Sequence, residues 1–262
     1  MNNFWELFFK GIPIGISNTL PGISGGTMAL VLKIYERLVK GIKNIQLPVL
    51  IPIILGAITG VFASSRIIVN LLELYPVFFL AFLVGLILAS SKVTAVEVED
   101  VNLLTIILAL AGFSLAFLYS TEINTATVGA DISLLRYFIG GVVVSIAMIL
   151  PGVSGGTILV MLGLYQGVLA AISALNLSVI IVFGLGIGIG LLGFSWVLKK
   201  TKKIIVFLSY FLNNYRSFLM AFLTGLILGS IRSVIPPSFG VSAVVGFLTG
   251  VYIIFLLDRV ET

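Results

Sequence analysis

The sequence predicts an all-α polytopic membrane protein of two inverted-topology repeats, each a re-entrant helical hairpin followed by three transmembrane helices. Three observations carry that expectation. The chain has 262 residues, of which 60% are hydrophobic and only 10% charged, with a mean hydropathy of +1.25; soluble domains run near a quarter charged. One phrase occurs twice, LPGISGGTMALVLKIY at Leu20–Tyr35 and LPGVSGGTILVMLGLY at Leu150–Tyr165. The copies lie 130 residues apart, with Leu, Pro, Gly, Ser, Gly, Gly, Thr, Leu and Tyr at matching positions. Finally, the basic residues gather on one side once the segments are laid out as hairpins and spans.

Composition narrows the chemistry. Cysteine and histidine are both absent, which removes disulfides, thiolate metal sites, the usual general base and the commonest metal ligand. No cofactor, metal or catalytic residue is expected. The net charge of +5 reflects cytoplasmic loops in a chain this apolar, so nucleic acid is not an expected partner. The N-terminal MNNFWELFFK places acid before base and leads straight into the first repeat, unlike a cleavable signal peptide.

The repeated phrase has a local reading. A helix arriving from the N-terminal side stops at Leu20 or Leu150, because the residue before proline is pushed out of the α region. Pro-Gly and Gly-Gly then allow turns and close backbone approach, and Ser24 and Ser154 are placed to cap a second helix. The first repeat occupies residues 1–120, with a hairpin at 4–42 and spans at 48–72, 76–90 and 103–119. Its first arm, Phe4–Leu20, opens with Trp5 and a phenylalanine pair suited to an interface. The strongly apolar part, Gly11–Leu20, is only about 15 Å long and too short to span. The return arm, Ser24–Ile42, holds Lys33, Arg37 and Lys40, with Lys43 just beyond. An acidic connector with Glu97, Glu99 and Asp100 precedes the third span.

Residues 121–133 form a polar linker, and the second repeat, 134–262, follows the same plan. Its hairpin covers 136–175, with a short arm Arg136–Leu150 and a return arm Ser154–Leu175. Its spans are 179–198, 218–235 and 241–257. Two echoes support the alignment: AFLVGLILAS at Ala81–Ser90 against AFLTGLILGS at Ala221–Ser230, and Gly56 and Gly60 against Gly186 and Gly190. The extra residues of the second half fall within Lys199–Arg216, which reads as an amphipathic interfacial segment. No strand-like alternation competes with the helices.

Charge decides how the halves face. If each hairpin returns to its own side, each half crosses three times and the second half is inverted. One side then collects Lys10, Lys33, Arg37, Lys40, Lys43, Lys92, Lys199, Lys200, Lys202, Lys203, Arg216 and Arg259, leaving Arg66, Arg136 and Arg232 elsewhere. The positive-inside rule puts that side, and both termini, in the cytoplasm of a multi-pass plasma-membrane protein. Were each hairpin one broken span, Lys10 would face away from Lys33–Lys43 across a segment far longer than a bilayer of about 30 Å needs.

Inversion brings the two tips together from opposite faces. Interrupted helices at mid-depth are how secondary carriers build their sites, with half-helix N-termini facing an anionic part of the cargo. The Ser24, Thr27, Ser154 and Thr157 hydroxyls with the glycine amides make a donor-rich pocket suited to phosphate or carboxylate. Simpler roles fit other features. Gly56/Gly60, Gly184–Gly190 and Gly225/Gly229 suit close helix packing. Tyr35 and Tyr165 suit interfacial anchoring as well as ligation, and Lys199–Lys203 suits a topology anchor or a patch for anionic headgroups. Arg66 reads equally as a snorkelling residue paired with Glu73 and as a phosphate ligand. Arg136 reads as interfacial. Glu36, Glu73 and Glu122 are the candidate proton carriers.

With the two PG-SGGT tips, the run Ile34-Tyr35-Glu36-Arg37 and the AFLxGLILxS segments in view, the chain resembles the PopT-like polyprenyl-phosphate transporters, formerly a membrane family of unknown function. The resemblance covers nearly the whole chain. It implies a flippase that returns a polyprenyl-phosphate carrier lipid, undecaprenyl phosphate in bacteria, from the outer to the cytoplasmic leaflet for reuse in cell-envelope glycan synthesis. It places substrate contacts at Pro21, Gly22, Ser24, Gly25, Gly26 and Thr27, and at Pro151, Gly152, Ser154, Gly155, Gly156 and Thr157. Two departures stand out: Asn18 where the family pattern has an acidic residue, and Lys33 where it has glycine, the latter adding a cation near the pocket. A phosphate monoester has a second pKa near 6, so co-transport of protons or Na+ is a cheap way to reduce the charge carried.

Two other classes remain in play. A carrier or channel for a small inorganic anion shares the same pocket. An intramembrane lipid phosphatase would need a base beside Ser24 or Ser154, and nothing at hydrogen-bonding spacing supplies one. A purely structural membrane protein explains neither the inversion nor the polar tips.

Overall fold

The structure, a computed structural model, describes residues 4–119, 133–148, 154–200 and 215–261. Within them are twelve α-helices and no strand: α1 (Phe4–Thr19), α2 (Gly25–Val31), α3 (Tyr35–Lys43), α4 (Leu47–Leu74), α5 (Pro76–Val96), α6 (Leu103–Tyr119), α7 (Leu134–Ala147), α8 (Gly155–Met161), α9 (Tyr165–Ser173), α10 (Leu177–Lys200), α11 (Arg216–Gly229), continued by a 3-10 turn at Ser230–Val234, and α12 (Val241–Glu261). Among the described residues, four helices are long and apolar enough to cross a membrane: α4, α5, α11 with its extension, and α12. The apolar helices α6, α7 and the Leu177–Gly193 part of α10 are shorter. Residues 120–132, which hold all of the 121–133 linker but Ser133 and include Glu122, and most of Lys199–Arg216 lie outside the described residues.

Proline sets two of the starts. Pro48 sits in the first turn of α4 and Pro76 in that of α5, where a missing N–H costs nothing. Against expectation, neither return arm is one helix. Ser24–Ile42 breaks between α2 and α3, and Ser154–Leu175 between α8 and α9, the latter pair bent by 116°. Both breaks are the same C-terminal cap. Lys33 and Gly163 take left-handed backbone at φ 56° and 64°. The next N–H, of Ile34 or Leu164, donates back to Ala29 or Leu159 at 2.9 Å, and such a 6→1 bond closes a helix. The cap explains why glycine suits the position that Lys33 occupies.

The helices pair through glycine. Gly11 lies on Ile53, Gly15 on Ala57, and Gly60 on Ile12 and Ile16, so α1 and α4 run parallel. Gly141 lies on Phe183, Gly186 on Phe138 and Gly190 on Val142, which repeats that pair in α7 and α10. Gly184 and Gly188, expected in the same packing, face open space. At 100° per residue they sit on the other side of α10 from Gly186 and Gly190. The remaining pairs cross between halves. Gly246 lies on Phe78 and Gly250 on Phe82, making α5 and α12 parallel; Gly225 lies on Ala109 and Gly229 on Phe113, making α6 and α11 parallel. Salt bridges tie these helices together at one end, Lys92 of α5 to Asp258 of α12 at 3.5 Å and Arg216 of α11 to Glu97, just past α5, at 2.6 Å. Arg232 donates to the Phe117 carbonyl at 2.7 Å and lies over its ring, which satisfies a carbonyl near the end of α6.

Candidate functional site

The two tips touch. The Gly22 N–H donates to Thr157 Oγ1 at 2.9 Å. The Ser154 hydroxyl donates to the Ile23 carbonyl at 3.0 Å and lies 3.4 Å from that of Leu20. Gly156 backs onto Leu20 and Pro21 so closely that an added Cβ would stand 3.0 Å from their backbone. Pro21, Ser154, Gly155, Gly156 and Thr157 are buried, and Gly22, Ser24, Gly25 and Thr27 are partly so. Pro151 and Gly152 lie outside the described residues.

The tips differ in how their helices begin. Ser24 caps α2 as expected, accepting from the Thr27 N–H at 3.1 Å, with the Thr27 hydroxyl 3.1 Å from its own. Ser154 does not cap α8 with its side chain. Its hydroxyl goes to the carbonyls of the opposite tip, where the chain leaving α1 has acceptors to satisfy. In the first turn of α2 the Gly25 N–H is taken by Asn18 Oδ1 at 3.1 Å. The exposed Gly26 has no acceptor for its N–H among the described residues.

Several supporting residues carried signals that the motif reading passed over. Gly22 has φ 81°, and a Cβ there would meet Ser90 Oγ at 2.5 Å and the Leu86 carbonyl at 2.9 Å. Ser90 closes the first AFLxGLILxS echo, and both it and Ser230, which closes the second, are buried. Recurrence of that serine was the available sign. Thr19 Oγ1 donates to Ser64 Oγ at 2.9 Å, joining the end of α1 to α4. Asn18, met in the sequence as a departure from an acidic pattern, is an amide whose oxygen is engaged by α2.

The charged candidates sit farther out. Arg66 is exposed, about 200° around α4 from Ser64, and makes no ion pair with Glu73 among the described residues. Lys33 is exposed just past the far end of α2, about 13 Å from Ser24 at the helical rise. It lines a polar hollow with Tyr35, Arg37 and Lys40. Glu36 and Glu73 are exposed, and no carboxylate among the described residues is buried. Arg136 is exposed at the head of α7.

Beside the tips lies a cavity of about 390 Å³. Its polar lining is Asn18, Thr19 and Ser145, and the rest is apolar, supplied by α4, α7, α8, α9 and α10.

Residues 14–245 match a family model described as undecaprenyl phosphate translocase-like. A polyprenyl-phosphate transporter of Vibrio cholerae is 30% identical over 254 residues, covering 89% of this chain and 78% of that protein. A polyprenyl-phosphate transporter of Staphylococcus aureus is 27% identical over 256 residues, covering 88% and 86%. No solved structure matches the chain.

Proposed function

The chain belongs to the undecaprenyl phosphate translocase-like family, whose members are transporters and not enzymes, and on that premise we propose that it flips a polyprenyl phosphate between membrane leaflets. The phosphate is held at mid-depth where the PGISGGT and PGVSGGT tips converge. The observation that carries this reading is the direct contact of the tips, Gly22 N–H to Thr157 Oγ1 and Ser154 Oγ–H to the Ile23 carbonyl. In this tip-to-tip arrangement the exposed Gly26 amide and one hydroxyl of the hydrogen-bonded Ser24–Thr27 pair are left as donors for an oxyanion.

Parallel pairing supports two inverted repeats with re-entrant hairpins. Because α1 and α4 run in the same direction, α2 and α3 must bring the chain back to the level at which it entered. The connector between α5 and α6 is too short to recross a core of about 30 Å, so those helices run oppositely. Since α11 is parallel to α6, it opposes α5, its counterpart in the repeat. We base the division at residues 1–120, 121–133 and 134–262 on the doubled phrase and its flanking echoes, and assign the basic ends to the cytoplasmic side. Return of the lipid to the cytoplasmic leaflet is the useful direction for a recycled carrier. With no buried carboxylate among the described residues, we assign any coupling proton to the phosphate itself.

Purified protein in liposomes should move a fluorescent prenyl phosphate between leaflets while leaking neither chloride nor sulfate. Anion leakage with a static lipid would instead identify a carrier or channel for small anions.

A further inference from the structure

The cavity beside the tips has a position that the tips alone do not explain. Asn18 and Met148 both line it, as do Val61 and Leu191. Each pair is separated by the repeat offset of 130 residues, so the cavity lies where equivalent parts of the two halves face one another. At this meeting place the halves differ in chemistry. The first contributes an amide, Asn18, beside α2, and the second a thioether, Met148. Polar lining is confined to Asn18, Thr19 and Ser145, and the rest is hydrocarbon. Met148, at the end of α7, and Leu191, on α10, are each 45% exposed, which puts them at the cavity's open side. At about 390 Å³ it falls within the range of small-ligand pockets.

We propose that this cavity is a lateral portal that seats the first isoprene units of the carrier lipid, with the Asn18 end toward the phosphate and the Met148–Leu191 mouth passing the rest of the chain into the bilayer. The inference rests on the prenyl-phosphate reading and adds to it where the tail leaves the protein. An amphiphile whose head is at the tips needs an apolar path that begins beside them, and this cavity shares Asn18 with the first turn of α2. A second apolar groove, between α5 and α12 around Phe247, has no tip residue in its lining.

The test uses the full chain in liposomes and a farnesyl phosphate carrying a diazirine on its first isoprene unit. Photolabel should fall on Val61, Met148 or Leu191. Leu191→Trp, which fills the mouth at an already exposed position, should lower labelling and affinity by more than about tenfold, because several apolar carbons lose their burial. Leu192→Trp, at the next position of α10 and outside the cavity lining, should retain both. Label concentrated in the α5–α12 groove, or full labelling in Leu191→Trp, would overturn the portal while leaving the transported lipid as proposed. Absence of any saturable label would overturn the prenyl-phosphate reading along with it.

Discussion

Thr157→Val tests the contact on which the proposed site depends. Valine nearly preserves the shape of threonine but removes the oxygen that accepts the Gly22 N–H at 2.9 Å. Thr157 is 2% exposed, so water cannot readily replace that oxygen. Leaving a buried donor unpaired costs about 1–3 kcal/mol. If the tip contact belongs to one state of the transport cycle, the same energy shifts the balance between states by about 5- to 150-fold. The measurements are the initial rate of prenyl-phosphate transfer in liposomes and thermal unfolding in detergent, with Thr157→Ser as the control that keeps the oxygen. Valine should lower the unfolding midpoint and reduce transfer at least about fivefold, and serine should retain most of both. A valine variant that matches the parent chain in both measurements would refute the reasoning.

Three further substitutions probe the framework. Gly22→Ala combines a left-handed φ of 81° with contact on Ser90 and the Leu86 carbonyl, at a cost of about 2–5 kcal/mol; a stable, active variant would argue against this packing of the first tip. Lys33→Gly should raise the unfolding midpoint, because glycine relieves about 1 kcal/mol of strain at φ 56°. Transport should be unchanged unless the Lys33 cation contributes to binding. Tyr165→Phe should be neutral or stabilising by about 1 kcal/mol in a thermal melt, since the buried Tyr165 hydroxyl has no hydrogen-bond partner. A clear loss of stability would show that the hydroxyl is satisfied by water.

Much of the plan was legible because backbone chemistry wrote it. Proline after Leu20 ends α1, serine before Gly-Gly-Thr begins α2, and the two copies of the phrase mark corresponding places. The breaks within the return arms were harder to read. Gly163 announces one of them, but Lys33 at the equivalent position looks like helix, and only the 6→1 bond from Ile34 to Ala29 reveals the cap. Ser154 was misread for a related reason. A serine at an N-cap position has a local bond available, yet the carbonyls of Leu20 and Ile23, 131 to 134 residues away, took its hydroxyl.

Composition and the doubled phrase by themselves determined a membrane-embedded chain of two related halves with polar tips, since these follow from hydropathy and from turn chemistry a few residues long. Which helix lies against which was decided only in three dimensions. In a bilayer, a face covered by lipid and a face covered by protein are both apolar, so periodicity names no partner. Gly225 and Gly246 announce close approach without saying to what. The exchange that pairs α5 with α12 and α6 with α11, and with it the meeting of the two tips, rests on complementary surfaces that no local pattern encodes.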